Sequence, residues 1–343
     1  MRVIGIEGAP GVGKSRLTQW LVRLGQEIGA ATQLQVMNSQ GRSGPHEGLK
    51  GMIRRRLRCW NMPSEERRRW LGARLPRFDE EEGNQQQRDA SALAKWLEPT
   101  CRGDDEMERK PPFKGEKQRR RVLARMLSRF AVNRPAVLWI DDVPWDNETL
   151  DVLETFRRES VETPDLLVVA TGRTDEFDEN PTVRPRLEGL RHFFGGERIE
   201  LQPLSRHQQR RLLNGMLPMA DALSERLVEQ AEGNPLFAVQ LLRHWVDRGY
   251  VGGTADGFQL QVGEVDDLPA DLLELWEGRV RRLTQTEGVN SQSSVRQALE
   301  FAAARGRSLT AEAWEKVADR VGLTSAEHLK SQMVARGLAV ETD

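Results

Sequence analysis

One stretch near the start of the chain constrains its fold more than any other: Gly8-Ala9-Pro10-Gly11-Val12-Gly13-Lys14-Ser15. It follows Val3-Ile4-Gly5-Ile6-Glu7, a short apolar run that reads as a buried parallel strand. After it, Leu17, Trp20, Leu21 and Leu24 fall at helical spacing. Strand, glycine loop and helix in that order are the context in which G-x-x-x-x-G-K-S works as a P-loop. Glycines let the backbone curl so that successive N–H groups face a phosphate, and the helix N-terminus adds about half a positive charge there. The pattern therefore predicts a phosphate cradle over Gly8–Ser15, completed by Arg16 in the first helical turn. Lys14 is expected to reach the β- and γ-phosphates, and the Ser15 hydroxyl to ligate Mg²⁺.

The rest of the first half repeats the strand–helix rhythm of a parallel α/β sheet. A second strand is expected at Gln33–Met37. A helix over 118–130, with Val122, Leu123, Met126, Leu127 and Phe130 on one side, stops at Pro135. Ala136–Ile140 then runs into Asp141-Asp142. A carboxylate at that strand end is where Mg²⁺ would be held, so Asp141 is the metal candidate. Asp142, one residue on, is the candidate base for an attacking water; being shorter than glutamate, it points to slow turnover. A helix over 148–159 and strands at 166–171 and 198–201 follow. Arg173, just past the strand at 166–171, is placed to sense a γ-phosphate, or else is one more solvated arginine in an arginine-rich chain. Beyond 202 the pattern reads as nearly all helix: 205–217, 221–231, 235–248, 269–284, 294–305, 310–320 and 324–336, with breaks at Gly233 and Gly252-Gly253. Gly233-Asn234-Pro235 opens one of these, and capping and nucleotide contact by Pro235 are both open on spacing alone.

Composition narrows the function classes. The 343 residues suggest two or three packed units. The net charge of −1 removes the global basic excess usual in a dedicated nucleic-acid binder. Only Cys59 and Cys101 occur, so neither a disulfide framework nor a thiolate metal site is expected. The histidines (46, 192, 207, 244, 328) show no metal spacing. No apolar run approaches the roughly 20 residues that span a bilayer. Met1-Arg2 leads straight into the first strand, so a cytoplasmic, membrane-free protein without a leader is expected. Arginine outnumbers lysine 43 to 8, which reads as coding bias. Charge is unevenly spread within 45–117, read as a charged helical insertion. Residues 48–77 carry ten basic and two acidic side chains, and 79–108 carry ten acidic and three basic. Leu49, Met52, Ile53, Leu57 and Trp60 keep a helical stripe through the basic block. Neighbouring helices of opposite sign that neutralise each other are the favoured reading, and a ligand- or partner-binding basic face is the other. Gln85–Gln87 and 104–114 read as loops.

With these residues in order, the chain resembles the STAND class of AAA+-related ATPases, the signal-transducing ATPases with numerous domains. The resemblance lies in GAPGVGKS (8–15), PHEGLKGMI (45–53), VLWIDDVPWDNETLDVLETF (137–156), LLVVATGR (166–173), IELQPLSRHQQRRLL (199–213) and AEGNPLFAVQLLRHW (231–245). It implies a P-loop domain over 1–202 with a parallel sheet of order 5-1-4-3-2. A helical lid (203–265) and a partial winged-helix domain (266–343) would follow. By the same resemblance Gly8, Gly11, Gly13, Lys14 and Ser15 hold phosphates and Mg²⁺, Asp141 and Asp142 serve metal and water, Arg173 acts as sensor, and Pro235 packs near adenine. The implied activity is a slow ATPase switch: ADP keeps the lid closed, and ATP frees the protein to self-associate and signal to a sensor or effector partner not identified by the sequence. The alternatives are an AAA+ plus winged-helix protein that binds nucleic acid, which the sequence does not favour, and a non-hydrolysing ADP-bound scaffold.

Overall fold

The protein is described by a computed structural model covering residues 1–40, 46–60, 62–74, 83–98, 111–159, 163–254, 257–261, 269, 271–285, 292–305, 309–323 and 326–341. Its contacts group into two units, Met1–Ala9 with Lys14–Leu201, and Pro10–Gly13 with Gln202–Asp343.

The first unit is built on five parallel strands: β1 (Arg2–Gly8), β2 (Thr32–Met37), β3 (Ala136–Asp141), β4 (Leu166–Arg173) and β5 (Gly196–Leu201). Their order is β2-β3-β4-β1-β5, the 5-1-4-3-2 arrangement expected. Because side chains alternate across a strand, the three central strands β1, β3 and β4 each feed two cores. Leu138 and Ile140 of β3 and Val168 and Ala170 of β4 face one core, with Val3, Leu34 and Val36. Val137, Trp139 and Val169 face the other, with Ile6 and Val22. Helix α1 (Lys14–Glu27) covers the second core through Val22 and Leu21. The first is covered by α2 (Gly48–Leu57), α3 (Ser64–Arg74), α4 (Gly83–Trp96), α5 (Glu116–Phe130), α6 (Asn147–Arg158), and, after α7 (Thr174–Glu179), α8 (Val183–Phe194).

Two expectations within this unit are corrected, and a third lies largely outside the described residues. Gln85–Gln87 form not a loop but part of α4, because Ala90, Leu93, Ala94 and Leu97 bury an i, i+3, i+4, i+7 face against the core. Of the expected 104–114 loop, residues 104–110 lie outside the described residues, and 111–114 are neither helix nor strand. Helices α7 and α8, absent from the sequence reading, form between Arg173 and β5, with Val183, Leu187 and Leu190 buried.

The charged blocks also behave differently from expectation among the described residues. The buried guanidiniums of Arg54 and Arg67 donate to the carbonyls of Leu97 and Ala94 (3.1 and 2.9 Å), and the Lys50 ammonium to that of Glu98 (3.1 Å). The basic helices thus cap the C-terminal end of α4, whose last carbonyls lack intrahelical donors and carry the negative end of the helix dipole. Burial pushes the Lys50 pKa down to about 8. The acid of α4 pairs elsewhere. Asp89 accepts from Arg125 Nε and Nη2 (2.9 and 2.7 Å) and from Arg129 Nη1 (3.4 Å) on α5, with Asp89 and Arg129 both 1% exposed. Breaking a buried pair from one side typically costs about 3–5 kcal/mol. Asp89→Ala should therefore lower the unfolding free energy of this unit by that order in denaturant titration; a loss below about 1 kcal/mol would show that the pair contributes little.

The second unit has two described cores. Leu213 of α9 (Arg206–Met216), Leu223 and Leu227 of α10 (Asp221–Ala231) and Leu241 and Trp245 of α11 (Pro235–Asp247) form one. It includes a two-stranded antiparallel hairpin, β6 (Val251–Thr254) and β7 (Gly257–Leu260). The hairpin falls in the break between the helices expected over 235–248 and 269–284, so the lid expected to be all-helical is not. Leu283 of α12 (Leu272–Gln285), Val295 of α13 (Gln292–Ala304), Trp314 of α14 (Ala311–Val321) and Leu329 of α15 (Ala326–Ala335) form the other. Among the described residues from 271 onward there is helix and no strand.

Candidate functional site

Sheet register gathers the predicted chemistry at one edge. In a parallel sheet all carboxyl ends lie together, which is where α/β folds place ligands. Gly8, at the end of β1, pairs with Arg173 at the end of β4, and Met37 at the end of β2 with Asp141 at the end of β3. The loop that leaves β1 therefore opens beside the end of β4, with the end of β3 one strand further along.

Within the loop Gly11 and Gly13 take φ of 81° and 104°, a region that a Cβ makes costly. Lys14 opens α1 and is 7% exposed; its Nζ donates to the carbonyls of Gly8 and Ala9, both at 2.9 Å. The loop thus curls around its own lysine. Burial lowers the Lys14 pKa; Asp142, Glu176 and Asp175 oppose that shift, while Arg173 adds to it.

Ser15 Oγ donates to Asp141 Oδ1 at 3.0 Å. The same oxygen accepts from Thr171 Oγ1 (2.8 Å), and Thr171 in turn accepts from Trp139 Nε1 (3.3 Å). The main-chain carbonyl of Asp141 accepts from the Asn38 side-chain amide at 2.8 Å and its N–H at 3.2 Å. Asp141, only 3% exposed, is thus held at its carboxylate by Ser15 and Thr171 and at its main chain by Asn38. The donor set suits Mg²⁺. Adjacent ligands of an octahedral ion with bonds of about 2.1 Å lie roughly 3.0 Å apart, the separation found between Ser15 Oγ and Asp141 Oδ1. Among the described residues no group of three or more His, Cys, Asp or Glu offers a rival metal site.

Asp142 is half-buried and adopts φ 54°, ψ 53°. A non-glycine residue in this left-handed region is uncommon, and such conformations cluster at functional sites. The Val143–Trp145 3₁₀ turn begins there, and Pro144 of that turn packs on Gly172; a Cβ on Gly172 would meet Pro144 Cδ at 2.8 Å. The tight turn swings the chain away from β3 directly after Asp142.

Arg173 is placed differently from a free sensor cation. Its Nε donates to Asp175 Oδ1 at 3.1 Å and its Nη2 to Asp175 Oδ2, which raises its pKa, while Glu176 lies 3.9 Å away. Its side chain is 41% exposed. Arg16 is exposed and bonds Gln19 Oε1 at 3.3 Å, on its own helix and not in the loop.

In the second unit, Pro235 is the first residue of α11, capped by Asn234, whose Oδ1 accepts from the N–H of Leu236 and Phe237 (both 3.1 Å). The Asn234 amide also donates to Pro10 O (3.0 Å), and the Leu236 N–H to Gly11 O (3.3 Å). Asn234 thus caps a helix and contacts the loop tip. Sequence reasoning singles out Pro235 in this triplet and passes over Asn234, as it passes over Thr171 and Asn38. Thr171 does carry a signal, a hydroxyl inside an otherwise apolar strand; Asn38 offers only its place after a strand end.

No sequence profile of a known family matches the chain, and no curated protein matches it in sequence. Among solved structures, the Orc1 protein of Aeropyrum pernix in complex with DNA is similar at 13% identity and a TM-score of 0.40, over 98% of this chain and 77% of that one. A RuvB variant of Thermotoga maritima is similar at 15% identity and a TM-score of 0.35, over 100% of this chain and 82% of that one. A shared function does not follow from scores of this size; the loop and the end of β3 carry the functional reading by their own chemistry.

Proposed function

We propose that the chain is a Mg²⁺-dependent, slowly hydrolysing ATPase of AAA+ type whose ATP- and ADP-bound states differ in conformation and self-association, in the manner of STAND switches. The observation that supports it most is the 3.0 Å contact between Ser15 and Asp141, two residues 126 positions apart in sequence, beside a lysine enclosed by its own loop. Few chemistries other than phosphate-plus-metal binding call for that set.

Each residue has a part in this reading. The N–H groups of Gly8–Ser15 and the α1 N-terminus receive the phosphates. Lys14 would exchange its two carbonyl contacts for β- and γ-phosphate oxygens, and Ser15 with Asp141 would hold Mg²⁺. The bound ion would neutralise charge that develops on the phosphate oxygens. Asp142 orients and deprotonates the attacking water. Arg173 contributes charge stabilisation only by leaving Asp175, which makes it a conditional sensor.

The switch itself is tested by size-exclusion chromatography with light scattering on the full chain, comparing ADP with a non-hydrolysable ATP analogue. The larger assembly is expected with the analogue. Identical masses in both would end the switch reading and leave a nucleotide-binding scaffold.

A further inference from the structure

The first unit holds a second concave site, at the opposite end of the sheet. A cavity of about 760 Å³ is lined by Thr32–Gln35 at the start of edge strand β2, by the C-terminal ends of α2, α3 and α5, and by the segment that enters β3. Since the strands are parallel, these amino-terminal ends lie across the sheet from the P-loop and Asp141. Six arginines line it: Arg55, Arg56, Arg58, Arg74, Arg129 and Arg134. Among the described residues no acidic side chain lines it.

Among the described residues, most of these charges are held in place by carbonyls and rings and not by carboxylates. Arg55 donates to Gln35 O at 2.7 Å and to His46 O. The Arg56 guanidinium lies 5.9 Å from the Phe130 ring centre, and that of Arg74 lies 3.9 Å from Trp70. Arg134 donates to Gly29 O at 3.4 Å. Carbonyls and rings fix the direction of a guanidinium and leave its charge intact. Arg129 differs, since it bonds the carboxylate of Asp89. The α2 dipole accounts for cations in that helix's last turn. The dipoles of α3 and α5 account in the same way for Arg74 and Arg129 in their last turns. None of them accounts for Arg134 on the segment before β3, or for three helix ends and that segment turning their arginines toward one concavity.

We propose that this cavity binds a small polyphosphorylated ligand, at a site separate from the P-loop. Arginine's planar fork suits phosphate oxygens, several forks around one hollow suit several linked phosphates, and the volume is that of a small-molecule pocket. Duplex nucleic acid would ask for cations spread along a stripe instead of gathered in one hollow.

The test is calorimetric titration of inorganic tripolyphosphate into the full chain carrying Lys14→Ala, which weakens phosphate binding at the other end of the sheet. One bound tripolyphosphate per chain is expected. Adding Arg56→Ala and Arg58→Ala, both exposed, should weaken it about tenfold or more. The same double substitution in a Lys14-intact chain should leave ADP affinity unchanged, which reports that the fold survives. Equal tripolyphosphate affinity with and without the two arginines overturns the proposal. So does a short DNA duplex that binds more tightly than tripolyphosphate through the same arginines, since the hollow would then belong to a nucleic-acid groove.

Discussion

Lys14→Ala is expected to weaken Mg-ADP and Mg-ATP binding by about a hundredfold or more, the equivalent of losing two charge-assisted hydrogen bonds. The expectation comes from how the lysine is held. Its ammonium is 7% exposed and bonded to Gly8 O and Ala9 O. Burial lowers its pKa, and Asp142 leads the carboxylates that oppose that shift and help to keep the charge on. A cation in a nearly dry loop acts on an arriving phosphate through little intervening water, so its removal costs more than that of a surface charge. Alanine also deprives two loop carbonyls of their donor. A thermal melt of the variant is therefore needed to separate lost affinity from a loosened loop. Calorimetry on a folded variant that still binds like wild type would exclude a phosphate site at Gly8–Ser15 altogether.

Asp142→Asn is expected to keep nucleotide affinity within a few-fold and to lower single-turnover hydrolysis by about 10²–10⁴, the usual range for a general base. Asparagine tolerates the left-handed conformation of φ 54° as well as aspartate does, so the 3₁₀ turn over Val143–Trp145 should persist. What the amide lacks is the ability to take a proton. Asp141 would make a poorer probe of this step, because its carboxylate also accepts from Ser15 and Thr171 and its loss would disturb the proposed metal site directly. An unchanged rate in the Asp142→Asn variant would remove Asp142 from the base role and leave water activation to another group.

Much of the site was legible in the linear chain because its parts are local. A P-loop is eight consecutive residues whose mechanism requires a strand before and a helix after, and both flanks can be read from spacing. The twin aspartates at 141–142 stand out because an apolar strand ends on them. Strand order was less local; it entered through the resemblance, and the ladder Gly8↔Arg173 with Met37↔Asp141 then showed why the pieces share one edge. Arg173 illustrates the limit. Its position after β4 is readable, but its bond to Asp175 depends on a helix turn that periodicity did not reveal.

Sequence alone determined the glycine loop between strand and helix, the acidic strand end and the alternation of strands and helices, since each is written in the spacing of neighbouring residues. Tertiary structure decided the rest: that Thr171 and Asn38 hold Asp141, that Arg54 and Arg67 close the end of α4, and that six arginines from separate elements share one hollow. The physical reason is that hydrogen bonds and charges act over a few ångströms of space, whatever the distance along the chain. A run of arginines looks the same on paper whether its partners are carboxylates, helix-end carbonyls or an anion, and only the folded backbone selects among them.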